Sequence, residues 1–318
     1  MPGRRIHTQP LNYVCSNSNP SWIALVNVSI TQYKVASTMN SSLTITHITT
    51  ATAILNVDGI NFLTDPFFGP IEGDEYDSTP VWERVDLKKY GMDRVPPPPH
   101  LFNHQGPALQ LNELPPIDAV LLSHEDHLDN LDPEGRKLLD GRKVFTTVEG
   151  SLELRPRPGV VGLRPWETVT SKIGGKQFRI TGTPCKHFPV GEVTGFILET
   201  DSFGVHASGK PNAIWFSGDT VYIDELRKIG QKWHITAAIL NLGNATFELP
   251  TGPIKITMDG KDAVQIMRDI GADVMIPMHF ESWAHFKEGK EDLAKVFIDE
   301  GFADKVCWTT RGEPKVVY

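Results

Sequence analysis

The chain has 318 residues, 40% of them hydrophobic, and a formal net charge of -8 at pH 7. This length accommodates one layered α/β domain with surface excursions. No apolar run approaches the roughly 18 residues that cross a bilayer, so no integral membrane segment is predicted. The negative charge, without an extended Lys/Arg cluster, argues against a nucleic-acid partner. A small-molecule substrate is expected, and the sequence leaves the oligomeric state open.

The N-terminal region differs in composition from the rest of the chain. Residues 1–57 contain no Asp or Glu and are rich in Ser and Thr, as in some organellar transit peptides. We interpret residues 1–38 as an N-terminal extension and residues 39–318 as the main domain, with Met39 as a hypothetical alternative start. The three cysteines lack metal-type spacing, which favours a reducing compartment. A cytoplasmic location is therefore predicted, with an organellar one as the alternative.

Short strands are predicted to open the main domain, over residues 43–48, 53–57 and 61–64. Residues 69–100 are predicted to be a long surface excursion, because their charges and four consecutive prolines exclude a continuous helix or central strand. The almost unbroken apolar run 117–122 indicates a strand buried on both faces. It ends abruptly in a polar cluster over residues 123–132.

The second part of the domain is predicted to alternate strands with helices. A helix is expected from Asp132-Pro133 to Leu139, another over 259–270 with Thr257 as a candidate N-cap, and a last one over 291–299. Further strands are expected over 143–147, 178–183, 195–199, 213–216, 237–240, 274–277 and 306–309. This order favours a layered α/β sandwich over a barrel or a helical bundle.

The densest group of possible metal ligands follows the buried run 117–122. The segment Ser123-His124-Glu125-Asp126-His127-Leu128-Asp129 contains two imidazoles and three carboxylates. Neutral His nitrogen and Asp oxygen are the donors that hold zinc and similar cations. Taken alone, the segment is equally compatible with an acidic helix start carrying surface histidines.

Three more donors occupy the same kind of position. His187, Asp219 and His279 each follow a predicted buried strand. A single strand-end His is more often a hydrogen-bonded structural residue, and Ser-Gly-Asp alone is commonly a turn. The repetition of donors at four strand ends favours a metal site.

These motifs resemble those of a known family. Residues 118–124 (DAVLLSH), 126–129 (DHLD), 183–187 (TPCKH), 217–220 (SGDT) and 276–279 (IPMH) are similar, in order, to the metal motifs of the metallo-β-lactamase superfamily. The resemblance covers about residues 43–310 and is nearest to the branch of ascorbate-phosphate lactonases and N-acyl-phosphatidylethanolamine phospholipases D. It implies a four-layer αββα sandwich and a metal-dependent hydrolase. Zinc, as one or two ions, is the expected cofactor, with manganese or iron as alternatives.

The first family motif, His-x-His-x-Asp-His, is altered in this chain. We interpret the sequence from His124 to His127 as that motif after the deletion of two residues, with the loss of one histidine. The resemblance then implies one metal on His124 and His187, and a second on Asp126, His127 and His279. It makes Asp219 the bridging ligand. The first metal is left one ligand short, which Glu125, Asp129 or water would supply unless one metal suffices.

The expected reaction is hydrolysis by a hydroxide that forms on the metal near neutral pH. Asp126 and Asp219 are the candidate catalytic residues that move the proton. A small cyclic ester or amide, a lactone or lactam, is the expected substrate. A lipid or small phosphodiester is an alternative, and so is a non-catalytic metal-binding protein with a degraded centre. Tyr222, His285 and His47 are secondary pocket candidates, although such residues more often have structural roles.

Overall fold

Two β-sheets packed face to face form the centre of the structure. It is a computed structural model that describes residues 41–69, 75–94, 100–187 and 191–318. The predicted extension 1–38 and the alternative start at Met39 lie outside the described residues, and both stay predictions.

The described strands and helices are bounded as follows. The strands are β1 (Leu43–Thr49), β2 (Thr52–Val57), β3 (Ile60–Thr64), β4 (Glu75–Asp77), β5 (His100–Phe102), β6 (Ala119–Leu121), β7 (Lys143–Thr147), β8 (Val160–Leu163), β9 (Thr168–Ile173), β10 (Lys176–Pro184), β11 (Thr194–Thr200), β12 (Asn212–Phe216), β13 (His234–Asn241), β14 (Thr246–Leu249), β15 (Gly252–Lys255), β16 (Val274–Met278) and β17 (Pro314–Val316). The helices are α1 (Thr79–Glu83), α2 (Pro133–Arg136), α3 (Val148–Glu153), α4 (Lys228–Lys232), α5 (Gly260–Ile270) and α6 (Lys290–Asp299).

Each large sheet combines an antiparallel half with a parallel half. The first has the order β17-β1-β2-β3-β6-β7-β8, and pairing is parallel from β3 to β8. The second has the order β16-β13-β12-β11-β10-β9, and pairing is parallel among β12, β13 and β16. Parallel neighbours end at the same edge of a sheet, so the residues that follow them come together in space.

Side chains of both sheets interdigitate in the main core. Phe62 of the first sheet meets Phe178 of the second edge-to-face, with ring centroids 4.9 Å apart. The outer face of the second sheet packs against α5 and α6, and that of the first sheet lies under the region of α2 and α3. The predicted αββα layering is therefore confirmed.

Helix α5 illustrates how local sequence sets an element. Its apolar residues recur at helical spacing and face the core. Asp259 caps it by accepting from the Asp262 N–H, and Gly271 ends it at a φ of 67°. Thr257, predicted as the cap, is not: its hydroxyl accepts from the Ala245 N–H instead.

The predicted strand 306–309 is wrong. Val306 makes only an isolated bridge to Met275, and the final strand is β17, which pairs with β1 at the sheet edge. The excursion 69–100 contains no long element among its described residues, as predicted, but α1 within it buries Val81 and Trp82. In the described part of the chain, no helix has the length and apolarity needed to cross a membrane.

Candidate metal centre

The candidate ligands lie just beyond the carboxyl ends of four strands. His124 follows β6, His187 follows β10, Asp219 follows β12 and His279 follows β16. The turn before Asp219 requires glycine: Gly218 has a φ of 58°, and a Cβ there would lie 2.6 Å from the Thr194 carbonyl oxygen. Buried strands thus fix the direction of each ligand-bearing loop.

Three imidazoles converge at this edge. The Nδ1 of His127 lies 3.0 Å from the Nε2 of His124 and 3.4 Å from the Nε2 of His187. The three nitrogens all lie within 4.8 Å of one another. His124 is fully buried, and the other two rings are partly buried.

Hydrogen bonds on the far side of two rings select their tautomers. Ser123 donates from Oγ to Asp65 at 2.8 Å, which leaves Oγ to accept from His124 Nδ1, also at 2.8 Å. His187 Nδ1 lies 2.8 Å from the Ile256 carbonyl oxygen and donates to it. The Nε2 atoms of both rings are therefore lone-pair donors that point toward His127.

Such a donor set fits a divalent cation. Lone pairs that face one another repel unless a proton or a metal lies between them, and imidazoles oriented by outer hydrogen bonds are common metal ligands. Burial lowers the pKa of His124 and of His187. Both rings are accordingly neutral at pH 7, which is the form that binds a metal.

A second group lies beside the three histidines. The Nε2 of His279 is 3.4 Å from Asp219 Oδ2 and 3.6 Å from Asp129 Oδ2. Burial lowers the pKa of His279, but the two carboxylates raise it more, to about 9. The other oxygen of Asp219 accepts from Asn241 Nδ2 at 2.7 Å. His279 has a φ of 60°, a strained conformation of the kind found at functional sites.

The predicted ligands are not grouped as the sequence suggested. The prediction joined His127 to Asp126 and His279, whereas its Nδ1 faces His124 and His187. Asp126 forms a salt bridge to Arg84 at 2.8 Å. Glu125 belongs to neither group, and burial raises its pKa to about 7. The metal-binding roles of all six predicted residues stay predictions.

A cavity that is partly open to solvent adjoins both groups. Apolar and aromatic side chains make up much of its wall. The lining residues are Tyr76, Ser78, Val81, Trp82, Leu101, His127, Asp129, His187, Phe247, Ile256, His279 and His285. Of the secondary candidates, His285 thus lines the cavity, whereas Tyr222 bonds to Asp269 and His47 lies 3.1 Å from the Thr50 carbonyl oxygen.

Sequence reasoning assigned no role to four polar residues that support the site, Asp65, Ser123, Asn130 and Asn241. Asp65 accepts from the backbone and hydroxyl of Ser123 and from Asn130. Burial raises the pKa of Asp65 to about 8, although these bonds lower it, and a nearby cation would favour its ionised form. Asn241 ends β13, so the strand-end rule that selected Asp219 would also have found it.

Comparisons with known proteins identify a matching family model and similar folds. Residues 61–280 match the family model described as Beta-lactamase superfamily domain. An uncharacterized protein of Mycobacterium tuberculosis is 26% identical over 255 residues, or 74% of this chain and 57% of the relative. The match therefore spans less than two thirds of that relative. A metal-dependent hydrolase of Pyrobaculum arsenaticum is 24% identical over 194 residues, or 56% of this chain and 76% of the relative.

Two solved structures are similar to the chain in fold. Isothiocyanate hydrolase from Delia radicum gut bacteria has a TM-score of 0.65 and 21% identity, covering 86% of this chain and 98% of that one. Igni18, a metallo hydrolase of Ignicoccus hospitalis, has a TM-score of 0.61 and 20% identity, covering 87% and 99%.

Proposed function

We propose that the chain, which belongs to the family described as Beta-lactamase superfamily domain, is a metal-dependent hydrolase. Its essential cation is proposed to be held by His124, His127 and His187. The observation that carries this proposal is the convergence of three imidazole nitrogens within 4.8 Å. Zinc is the proposed metal because it prefers His nitrogen and carboxylate oxygen. A cytoplasmic location remains a prediction from the cysteine pattern.

This proposal changes how the first motif is aligned. The chain reads His124-x-x-His127-x-Asp129-Asn130, which we interpret as the family pattern with one inserted residue and with asparagine in place of the last histidine. Asp129 then joins Asp219 and His279 at a second cation position. Asp126 becomes an anchor for Arg84 instead of a ligand or proton carrier.

The chain's own residues supply orientation and proton transfer. A divalent cation, when bound, acidifies water and polarises the bond that is attacked. Asp65 and Ser123 hold His124 in the ligand tautomer, and Asn241 fixes Asp219. Asp219 Oδ2, which lies 3.4 Å from the Nε2 of His279, is the proposed acceptor for the proton released from the attacking water.

The cavity favours a small uncharged substrate. Among its lining residues are Trp82, Phe247 and Ile256, and the part of the lining that the structure describes contains no Lys or Arg. For an anionic phosphodiester, these side chains would add no counter-charge to that of the metal. A lactone or lactam with an apolar substituent is therefore the proposed substrate. Isothiocyanates join the test panel because a protein of similar fold is named for their hydrolysis.

The test is turnover by zinc-loaded protein on lactones, lactams, isothiocyanates and phosphodiesters. We expect activity on an uncharged member of the panel, lost in His187→Ala and retained in His206→Ala, whose half-buried ring stacks on His234 and belongs to neither group. Loaded protein that hydrolyses only phosphodiesters would contradict the substrate proposal. Protein that binds no metal would contradict the enzyme proposal.

A further inference from the structure

The second cation position has three donors, one fewer than a closed tetrahedral site needs. Asp129 and Asp219 flank the Nε2 of His279 at 3.6 and 3.4 Å. His279 is 2% exposed, and its Nε2 has no hydrogen-bond partner among the described residues. Two buried carboxylates that face one imidazole need a positive charge between them, which either a proton on His279 or a bound divalent cation supplies.

A fourth imidazole lies next to these donors. His285 lines the same cavity as Asp129 and His279. The ring of Phe286 lies 4.6 Å from the His279 ring and 4.5 Å from the His285 ring, so both imidazoles flank one aromatic side chain. The Nδ1 of His285 is buried and, within the described chain, has no hydrogen-bond partner.

We infer that His285 supplies the fourth donor of the second cation position, together with Asp129, Asp219 and His279. This inference rests on the proposed function, because it requires a metal centre at the three histidines. Two buried imidazole nitrogens and two carboxylates form a set that suits a borderline divalent cation. A cation bound there would satisfy the Nδ1 of His285, which has no hydrogen-bond partner among the described residues, and would take the place of the proton on His279.

Asn130 is the competing donor. Its Nδ2 donates to Asp65 at 3.1 Å, and its Oδ1 is buried without a partner in the described structure. Amide oxygen suits hard cations such as Mg²⁺ or Ca²⁺, whereas imidazole suits zinc. The Asn130 amide is held by the Asp65 carboxylate, whereas His285 lines the cavity. These contacts favour His285 as the donor.

The test measures metal binding without requiring turnover. Full-length apo-protein is titrated with Zn²⁺ against a chelating indicator, and with Co²⁺ while its visible absorption is recorded. We expect two equivalents in the wild type, with one bound about tenfold or more weakly in His285→Ala. His285→Gln, which keeps a polar side chain in place if alanine disturbs folding, should behave similarly. The matched control is His206→Ala, which should bind as the wild type does.

The outcomes separate the two proposals. Unchanged binding of both equivalents in the two His285 variants would overturn this inference and leave the three-histidine site standing. A weakened second equivalent in Asn130→Ala, with the His285 variants unchanged, would transfer the role to Asn130. A wild type that binds a single equivalent, lost in His187→Ala, would remove the second position. No binding at all would overturn the proposed function itself.

Discussion

Replacing Ser123 by alanine tests the hydrogen-bond relay behind His124. Ser123 Oγ lies 2.8 Å from Asp65 Oδ2 and 2.8 Å from His124 Nδ1. Alanine removes both bonds and keeps the backbone N–H that donates to Asp65 at 2.6 Å. The imidazole then loses the partner that fixes its tautomer and ring orientation, so its Nε2 is no longer held as a ligand.

The expected loss is one of metal affinity. Removing an outer-shell partner of a metal-binding histidine typically weakens binding about 10- to 100-fold, or about 1.4 to 2.7 kcal/mol. The upper part of this range is expected here, because Ser123 and His124 are both fully buried and water cannot readily replace the hydroxyl. The second cation position should be affected less, since its donors do not bond to Ser123.

Competition with a chelator of known affinity measures this loss directly. The matched control is Ser208→Ala, which removes an exposed hydroxyl 2.9 Å from the Nδ1 of His206. Ser208→Ala should bind zinc as the wild type does. Equal zinc affinity in Ser123→Ala and the wild type, in samples with matched folded content, would refute the reasoning that the relay orients His124.

Three more predictions concern Asp219, Trp82 and Asp58. Asp219→Ala should abolish single-turnover hydrolysis at saturating metal while Glu125→Ala retains part of it; equal losses would contradict the grouping of ligands. Trp82→Ala, which removes a wall of the cavity packed on Phe247, should raise KM for apolar substrates about tenfold with little change in kcat; an unchanged KM would place the substrate elsewhere. Although burial raises the pKa of Asp58, bonds from its neighbours lower it to about 2. Its contribution of about 2 kcal/mol to the free energy of unfolding is therefore present above about pH 4 and lost as the pH falls toward 2. Urea unfolding should show Asp58→Asn destabilised at pH 7 and matched to the wild type near pH 2; a pH-independent difference would contradict this.

Much of the fold could be predicted because buried strands and helices have recognisable patterns of apolar residues in the sequence. The strand predicted over 143–147 coincides with β7, and the amphipathic pattern of α5 gave its length within one residue. Strands that face solvent were harder to recognise. The polar β9 (TVTSKI) alternates exposed and half-buried residues before it ends at the buried Ile173, and β17 is a short edge strand held by pairing with β1. Neither has the apolar run that indicates a buried strand.

The grouping of ligands depended on information that local sequence does not contain. The N–H groups of Asn130 and Leu131 both donate to the His127 carbonyl oxygen, forming a tight turn. This turn brings Asp129 close to His279. Asp126 instead pairs with Arg84, which precedes it by 42 residues in the sequence. Motif spacing identified the strand ends correctly, but the conformation of the loop determined which imidazoles meet.

Crystals soaked in zinc and measured at the zinc absorption edge test the central claim most directly. We predict an anomalous peak bounded by Nε2 of His124, Nδ1 of His127 and Nε2 of His187, at roughly 2.0–2.1 Å from each. The peak should disappear in His187→Ala crystals. A zinc peak at another site, with the three imidazoles still bonded only to one another, would contradict it.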